Sequence, residues 1–318
     1  MKRAFVTGGS GFLGRKLIAT LVARGIEVRA LSRSEKSDTE VTKRGATAVR
    51  GDLDDTAAMT AGMAGCDVVF HAAAYVDEHG TLADHLRVTV EGTKHALEAA
   101  KAAGVARFVH VGTEAVLADG KPIVRADETR PYPAKPAGPY PISKGLAEQA
   151  VVAANAPGFT TVGIRPRFIW GADDTSLLPK LTEAIKGGTF AWIGGGHYLT
   201  STCHVDNVVE GALLAAENGT GGEVYFLTDG EPVEFRAFMT DMLATQGVDP
   251  GKRSVPRWVA KTVASLTGWM QRPPVTKTAV ALIGGEVTVV DTKAREQLGY
   301  RGAVTVEAGL AEMRKARS

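Results

Sequence analysis

Near its start the sequence contains AFVTGGSGFLG at residues 4–14, and this stretch decides the fold. Residues 4–6 have the composition of a short buried strand, and the residues after the loop show the apolar spacing of an amphipathic helix. Between them Gly8, Gly11 and Gly14 stand three residues apart. Glycine at such positions permits a tight turn, close approach of a pyrophosphate to backbone N–H groups, and close packing of the helix on the sheet. The stretch therefore predicts a strand, a phosphate-binding loop and a helix.

Strand-like and helix-like segments alternate after this stretch. Further strands are predicted at 27–32, 46–50, 67–71, 107–111 and 161–165, with helices at 55–63, 82–103 and 143–154. Such alternation is typical of parallel strands joined by right-handed crossovers. We therefore predict an α/β fold, a Rossmann doubly wound parallel sheet with helices on both faces.

The pattern loosens into loops after about residue 170, with helices predicted near 177–186, 205–217, 235–246 and 256–269. Open α/β sheets bind ligands at the carboxyl ends of their strands, and this part is expected to cover that edge. We divide the chain into a dinucleotide-binding domain with the catalytic residues, 1–170, and a smaller, mainly substrate-binding region, 171–318. Some segments of the second region are expected to return to the first.

The composition is that of a soluble globular protein, with 44% apolar and 23% charged residues. A net charge of +2 without a basic cluster argues against binding to nucleic acid. No stretch approaches the roughly 18 apolar residues that span a bilayer, and the first residues lack the features of a signal peptide. Two scattered cysteines indicate a reducing compartment, so a cytoplasmic protein is predicted. Peripheral association with a membrane and formation of a homodimer are both compatible with the sequence.

The end of the predicted second strand, LSRS at 31–34, bears on the choice of cofactor. It has no acidic residue where a ribose-binding carboxylate is usual. Arg33 can instead pair with a 2′-phosphate, which favours NADP; with Arg33 on the adenine face or in solvent, NAD is the alternative. Asp52, after the third strand, is placed to accept a hydrogen bond from the adenine amino group, although a helix N-cap would look the same.

Tyr140 and Lys144 stand four residues apart in YPISK. If a helix begins near Pro141, both side chains point along one face. A lysine ammonium beside a phenol is expected to lower the phenol's pKa from about 10 by about two to three units, into a useful range for proton transfer. Thr113, after the fifth strand, can orient a substrate oxygen. The alternative is an exposed helix pair that stabilises the fold by a few tenths of a kcal/mol.

Together these motifs resemble the extended short-chain dehydrogenase/reductase family, within the NAD-dependent epimerase/dehydratase superfamily, over essentially the whole chain. The matching pieces are TGGSGFLG at 7–14, DL at 52–53, HAAA at 71–74, GT at 112–113, YPISK at 140–144 and RPRFIWG at 165–171. Two positions depart from the family pattern. Thr89 stands where Asn is usual, which puts a helix contact in doubt. Gly112 replaces one of two hydroxyl residues and leaves Thr113 as the oxygen-orienting hydroxyl.

Within that family, RPRFIWG and TDGEP at 228–232 look most like the 3β-hydroxysteroid dehydrogenase and bacterial β-ketoacyl-type reductase branch. The resemblance implies hydride transfer between NADP or NAD and a secondary alcohol or ketone of an apolar substrate, either 3β-hydroxysteroid-like or a long-chain β-keto or β-hydroxy compound. Tyr140 would be the general acid or base, and Lys144 would also bind the nicotinamide ribose. A nucleotide-sugar epimerase or dehydratase and a non-catalytic NADP(H)-sensing regulator are the alternatives.

These motifs predict two sets of site residues. The catalytic set is Thr113, Tyr140 and Lys144. The cofactor-binding set is Gly8, Ser10, Gly11, Phe12, Leu13, Gly14, Arg33, Asp52, Leu53, Ala72, Ala73, Ala74, Tyr140, Lys144, Pro166 and Phe168. No metal site is predicted, because His204 and Asp206 have no second histidine at ligand spacing.

One further segment, 256–271, has apolar residues at helical spacing, among them Trp258, Leu266 and Trp269. This stripe fits contact with an apolar ligand. Core packing or a dimer contact is the commoner cause of such a pattern.

Overall fold

The computed structural model describes residues 1–77, 79–270 and 272–317, except for the side chain of Arg317. Over these ranges the strands are, in chain order, β1 Arg3–Thr7, β2 Glu27–Ser32, β3 Thr47–Arg50, β4 Val68–His71, β5 Arg107–Val111, β6 Ile123–Ala126, β7 Thr160–Pro166, β8 Ile169–Trp170, β9 Trp192–Ile193, β10 Leu199–Thr200, β11 Cys203–His204, β12 Val224–Leu227, β13 Val233–Glu234, β14 Ser254–Val255 and β15 Val287–Val289.

The helices over the same ranges are α1 Phe12–Ala23, α2 Glu35–Thr42, α3 Thr56–Met63, α4 Leu82–His85, α5 Gly92–Ala102, α6 Pro139–Ala153, α7 Leu178–Lys186, α8 Val205–Asn218, α9 Phe235–Ala244, α10 Arg257–Leu266, α11 Lys277–Ile283 and α12 Val306–Arg317. Short 3-10 turns occur at Glu114–Leu117 and Gly194–Gly196, and π-helical turns at Leu86–Glu91 and Ala294–Leu298. None of the described helices is long and apolar enough to cross a membrane.

Seven strands form one sheet, in the order β12-β7-β5-β4-β1-β2-β3. Every neighbouring pair in it is parallel. The strand order reverses direction between β1 and β4, the arrangement that opens a crevice at the carboxyl edge of a doubly wound sheet. The predicted Rossmann fold is confirmed. The strand β12 and the helix α2 were not predicted.

Alternating residues of β1 separate the two faces of this sheet, since successive side chains of a strand point to opposite sides. Ala4 and Val6 pack with apolar residues of α1 and α8. Phe5 between them packs with apolar residues of α3, α5 and α6. The sheet is therefore covered by helices on both faces.

The part of the chain beyond residue 170 builds a second core, in which Trp170, Trp192 and Phe238 are buried together. A four-stranded sheet lies in the order β13-β10-β15-β6, and β6 comes from before residue 170. Conversely, two elements from after residue 170 belong with the main sheet: α8 packs on it, and β12 forms one of its edge strands. The division at residue 170 stays a prediction, with segments crossing it both ways.

Two helices differ from their predicted bounds at positions that matter for the site. The predicted helix 82–103 is interrupted by the π-helical turn Leu86–Glu91. The predicted helix 143–154 begins earlier, at Pro139, after Gly138 in a positive-φ conformation of 110°. Tyr140 and Lys144 therefore both lie within α6.

Candidate active site

The carboxyl ends of the parallel strands gather the predicted site residues at one edge of the sheet. Gly8 follows β1, Arg33 follows β2, Ala72 follows β4 and Thr113 follows β5. Pro166 ends β7. Because β1 and β4 flank the reversal of strand order, the crevice between them is the expected place for a dinucleotide.

The glycine loop has the shape that its spacing predicts. Gly8 has φ of 72°, and a Cβ there would lie 2.7 Å from the Ala73 backbone nitrogen. A Cβ on Gly14 would lie 2.1 Å from the Gly8 carbonyl oxygen, so only glycine lets α1 pack so near the loop. Gly11, the N-cap residue of α1, supplies no side-chain cap to the first turn. The N–H groups of that turn, at Phe12, Leu13 and Gly14, fit an anion such as a pyrophosphate.

The two residues predicted to recognise the adenosine half lie on the next strand ends. Arg33 is exposed and forms no hydrogen bond or ion pair with any residue that the structure describes. Asp52 is exposed and accepts a hydrogen bond from the Asp54 backbone at 2.9 Å. The N-cap of α3 is Asp55, which accepts from the Ala58 backbone at 2.9 Å. Asp52 is therefore not engaged in capping that helix.

The other predicted cofactor contacts surround the same edge. Ala72 and Ala73 donate backbone hydrogen bonds to Thr7, at 3.3 Å each. The Leu53 carbonyl lies 2.9 Å from Nδ1 of His95, which holds the loop after β3 against α5. Ala74 and Ser10 are half-buried, as a loop lining a crevice requires.

Lys144 is buried at the edge, with 3% of its surface exposed. Its Nζ donates a hydrogen bond to the Val111 carbonyl at the end of β5, at 2.6 Å. Burial lowers the pKa of Lys144 to about 8, and the Glu148 carboxylate opposes this effect. The side chain is therefore mostly an ammonium at neutral pH, held at the strand end.

Tyr140 lies one helical turn before Lys144, beside Thr113 and Glu114. Burial and the Glu114 carboxylate raise the pKa of Tyr140 to about 12, and a hydrogen bond with Thr113 opposes them. The expected lowering of this pKa by Lys144 is wrong for the residues as the structure places them, because desolvation of the phenolate dominates. The phenol keeps its proton at neutral pH.

A buried ion pair next to Thr113 is not indicated by any of the sequence motifs. Glu114 and Arg167 pair at 2.8 Å, and both side chains are at most 4% exposed. The Thr113 hydroxyl donates to the other carboxylate oxygen of Glu114 at 2.8 Å. Arg167 also donates to the Leu282 carbonyl at 2.8 Å, which joins the edge of the sheet to α11. Glu114 thus accepts the proton of the Thr113 hydroxyl, whose oxygen acts as an acceptor and receives a hydrogen bond from the Ala115 backbone at 3.2 Å.

A second buried ion pair fixes α6 against β7. Arg165 and Glu148 form two short hydrogen bonds, Nε to Oε2 at 2.9 Å and Nη2 to Oε1 at 2.6 Å. The Tyr132 hydroxyl also donates to Glu148 at 2.6 Å. Because Glu148 lies on the helix that carries Tyr140 and Lys144, this cluster positions the predicted catalytic pair relative to the sheet.

Two buried histidines, His71 in β4 and His110 in β5, lie near Lys144. His71 contacts the hydroxyls of Thr7 at 2.8 Å and Thr93 at 3.0 Å, and burial together with Lys144 lowers its pKa to about 3. Burial also holds the pKa of His110 well below its usual value. Both rings are neutral, so they add no charge beside Lys144.

The departure at Thr89 is accommodated by the π-helical turn Leu86–Glu91. The Thr89 hydroxyl accepts a hydrogen bond from the Tyr75 backbone at 3.0 Å. Thr89 therefore does make a contact at this position: its buried hydroxyl ties the π-helical turn to the loop after β4.

His204 is fully buried and caps α8, accepting from the Asp206 backbone at 3.3 Å. Its ring, Asp206 and Glu312 place possible ligand atoms within 4.8 Å of one another. The Lys16 ammonium lies 3.0 Å from Asp206 and 4.0 Å from Glu312, and supplies positive charge to this cluster. The capping bond gives His204 a structural role. The expectation of no metal stays a prediction.

An apolar cavity begins beside the ion pair, at Phe168, one residue after Arg167. It is lined by Phe168, Leu177, Leu181, Phe190, Ala191, Trp192, Ile193, Phe235, Met239 and Ile283. Phe168 has a positive φ of 49° and packs edge-on against Phe235 and Phe238. A wider depression on α7, bordered by Asp174 and Gln246, contains none of the predicted site residues. We take the cavity at Phe168 as the candidate substrate pocket; its volume is about 40 Å³, and of the predicted site residues Phe168 lines it.

Comparison with known proteins agrees with this geometry. Residues 5–257 match the 3-beta hydroxysteroid dehydrogenase/isomerase family. A Stigmatella aurantiaca protein, "4-hydroxy-2-methyl-3-oxo-4-farnesyl-3,4-dihydroquinoline-1-oxide ketoreductase", is 53% identical over 99% of this chain and 96% of its own. A 3-beta-hydroxysteroid dehydrogenase of Mycolicibacterium neoaurum is 34% identical over 98% of this chain and 90% of its own. The dTDP-glucose 4,6-dehydratase DesIV of Streptomyces venezuelae superposes with a TM-score of 0.79 at 24% identity, over 99% and 96% of the two chains.

The parallel sheet, glycine loop and Tyr140–Lys144 pair define an extended short-chain dehydrogenase/reductase. Within that class the chain belongs to the 3-beta hydroxysteroid dehydrogenase/isomerase family. The predictions of this family, of the Rossmann fold and of an NAD(P)-dependent oxidoreductase are confirmed. The individual site residues stay predictions.

Proposed function

We propose that the protein is a ketoreductase for a bulky apolar ketone, with Tyr140 as the proton donor. The observation that carries this proposal is the protonated phenol. With its pKa raised to about 12, Tyr140 can give a proton to a carbonyl oxygen at neutral pH. The named ketoreductase from Stigmatella aurantiaca supports the same direction.

Three other groups prepare the site for this proton transfer. Glu114 holds the Thr113 proton, so the Thr113 oxygen can accept a hydrogen bond from Tyr140 or from the product hydroxyl. Lys144 is held by the Val111 carbonyl at the end of β5, where it would bind the nicotinamide ribose. The glycine loop and the first turn of α1 would hold the pyrophosphate, and the bound nicotinamide would supply the hydride.

The substrate class follows from the cavity next to this site. Its lining is aliphatic and aromatic. The guanidinium of Arg167, 5.6 Å from the centre of the Phe168 ring, is neutralised by Glu114. Such a pocket gives little compensation for desolvating the diphosphate of a nucleotide sugar. Because the cavity is only about 40 Å³, we propose that it receives one apolar end of a prenylated, steroid-like or long-chain ketone, whose carbonyl would lie toward Tyr140.

We propose NADPH as the preferred reductant, on the exposure of Arg33 and the lack of a partner for it among the described residues. A charge-assisted hydrogen bond contributes about 1.5–3 kcal/mol, or about tenfold to a hundredfold in affinity. Arg33→Asp is expected to raise the KM for NADPH by about that factor and to leave the KM for NADH nearly unchanged. Arg24→Asp, at an exposed arginine after α1, controls for the change in net charge. Equal losses with both cofactors would contradict the assignment.

The experiment that tests the function is a substrate panel. The purified protein is offered NADPH with apolar β-keto esters, steroid 3-ketones and, in parallel, nucleotide sugars. Oxidation of NADPH with the ketones, and no reaction with the sugars, is the expected result. Conversion of a nucleotide sugar without net use of cofactor would instead indicate an epimerase or dehydratase, and nucleotide binding with no turnover of any substrate would favour a sensor.

A further inference from the structure

The helix α10 and the turn after it expose large apolar side chains to solvent. Trp258 is 71% exposed, Leu266 69% and Trp269 85%. The face that packs inward consists of the small residues Ala260 and Ala264. Core packing, one explanation offered for this apolar spacing, is therefore wrong for the three large residues. Exposed tryptophans need another explanation, since burial of one such ring is strongly favourable.

The same part of the chain is basic. Residues 251–285 contain six basic residues and no acidic residue, whereas the whole chain has 37 basic and 35 acidic residues. Among them Lys252, Lys261, Arg272 and Lys277 are exposed and form no ion pair with any residue that the structure describes. They are spread over the sequence and make no basic run there; Lys261 lies on α10 and Lys277 begins α11, and these two helices pack against each other.

We propose that this surface, formed by α10, α11 and residues 267–270 and 272–276 between them, docks on an anionic lipid bilayer. Exposed Trp and Leu beside Lys and Arg is the composition of helices that lie in the membrane interface, where rings enter the headgroup region and cations meet acidic lipids. A second copy of the chain fits less well. A two-fold interface would place this basic surface opposite itself, with no acidic residue of residues 251–285 to pair with.

The docking surface adjoins the candidate substrate pocket. Ala260, Ala264 and Val280 pack on Ile193, and Ile193 and Ile283 also line the apolar cavity. A bilayer bound at α10 would therefore lie next to the cavity that we assign to the apolar ketone. This link to substrate entry rests on the proposed function, whereas docking itself does not depend on the reaction.

Vesicle binding tests the proposal directly. The full chain is mixed with vesicles of phosphatidylcholine alone, or with about 30% phosphatidylglycerol, and bound protein is measured by sedimentation. We expect binding to the anionic vesicles that weakens at high salt, because surface charges are screened. Tryptophan emission should shift to the blue on binding. Trp170 and Trp192 are already buried, so the shift must come from Trp258 and Trp269.

Variants separate docking from general charge effects. Each basic residue near an anionic surface contributes about fivefold to partitioning, so Lys261→Glu with Lys277→Glu should weaken binding by roughly 30-fold or more. Arg24→Glu with Lys94→Glu makes the same change in net charge at exposed positions of other helices, and should have a small effect. Trp258→Ser with Trp269→Ser should abolish the blue shift.

Reduction of a short water-soluble ketone by these variants checks that they are folded, and its failure would bear on the proposed function alone. No binding to the anionic vesicles, equal binding to neutral ones, or equal loss in the control pair would overturn the docking proposal. So would a wild-type dimer in dilute buffer that becomes a monomer in Trp258→Ser, since the surface would then serve self-association.

Discussion

The pH dependence of the free energy of unfolding should report on the buried charge of Lys144. Its pKa is about 8 in the folded protein, against 10.5 for a lysine in water. Between these values the unfolded chain binds more protons than the folded one, so the free energy of unfolding rises with pH. The difference of about 2.5 pH units corresponds to a cost of about 3 kcal/mol at pH 8 and below. Most of that cost, about 2 kcal/mol, should disappear between pH 8 and pH 10.

Lys144→Met removes this titration. Urea unfolding of both proteins from pH 7 to pH 10 should show the wild type gaining about 2 kcal/mol relative to the variant as the pH rises. The raised pKa of Tyr140 acts in the opposite direction above pH 10, but both proteins contain Tyr140 and its effect cancels. Lys94→Met, at an exposed lysine, corrects for the loss of one positive charge. A constant difference between wild type and Lys144→Met across this range would refute the buried, desolvated ammonium.

Two predictions concern the ion pair behind Thr113. Arg167→Met leaves the Glu114 carboxylate buried without its cation, and the free energy of unfolding in urea should fall by about 3–5 kcal/mol; a loss below about 1 kcal/mol would contradict the buried pair. Glu114→Gln removes the negative charge that helps to raise the pKa of Tyr140. Because a general acid must be protonated, the alkaline limb of the kcat/KM profile should move to lower pH, and an unchanged limb would show that Glu114 does not act on Tyr140.

The sequence predicted those parts of the fold that have a strong local pattern. The glycine loop and the alternation of strands and helices were sufficient for the Rossmann class. The helix α2 was missed because it is polar, and only Val41 of its residues is buried. The strand β12 was missed because VYFL is a short, fully buried run, which periodicity cannot assign to strand or helix.

The candidate site divides in the same way. Tyr140 and Lys144 lie one turn apart on one helix, so their spacing alone brought them together. Glu114 and Arg167 are separated by 53 residues in sequence. Nothing local indicates that both are buried, since charged residues seldom are. The one available signal was a charged residue directly after the fifth strand, next to Thr113.

The pKa of Tyr140 shows that the spacing of charged residues in a sequence does not predict the direction of a pKa shift. The sequence places the ammonium of Lys144 four residues after Tyr140, and in the structure both residues lie on α6. The Nζ of Lys144 is directed to the Val111 carbonyl, while Glu114 and burial act on the phenol. The sign of the shift depends on which groups the fold places nearest, and on how far water is excluded.

The central claim is that Tyr140 donates the proton in reduction of an apolar ketone. The most direct test is NADPH oxidation by wild type and Tyr140→Phe with the best ketone of the panel, together with the NADPH dissociation constant of each protein from fluorescence. The account predicts that kcat falls by at least about a hundredfold in Tyr140→Phe, the lower end of general-acid contributions, while NADPH binding changes little. Turnover near the wild-type rate in Tyr140→Phe would contradict it.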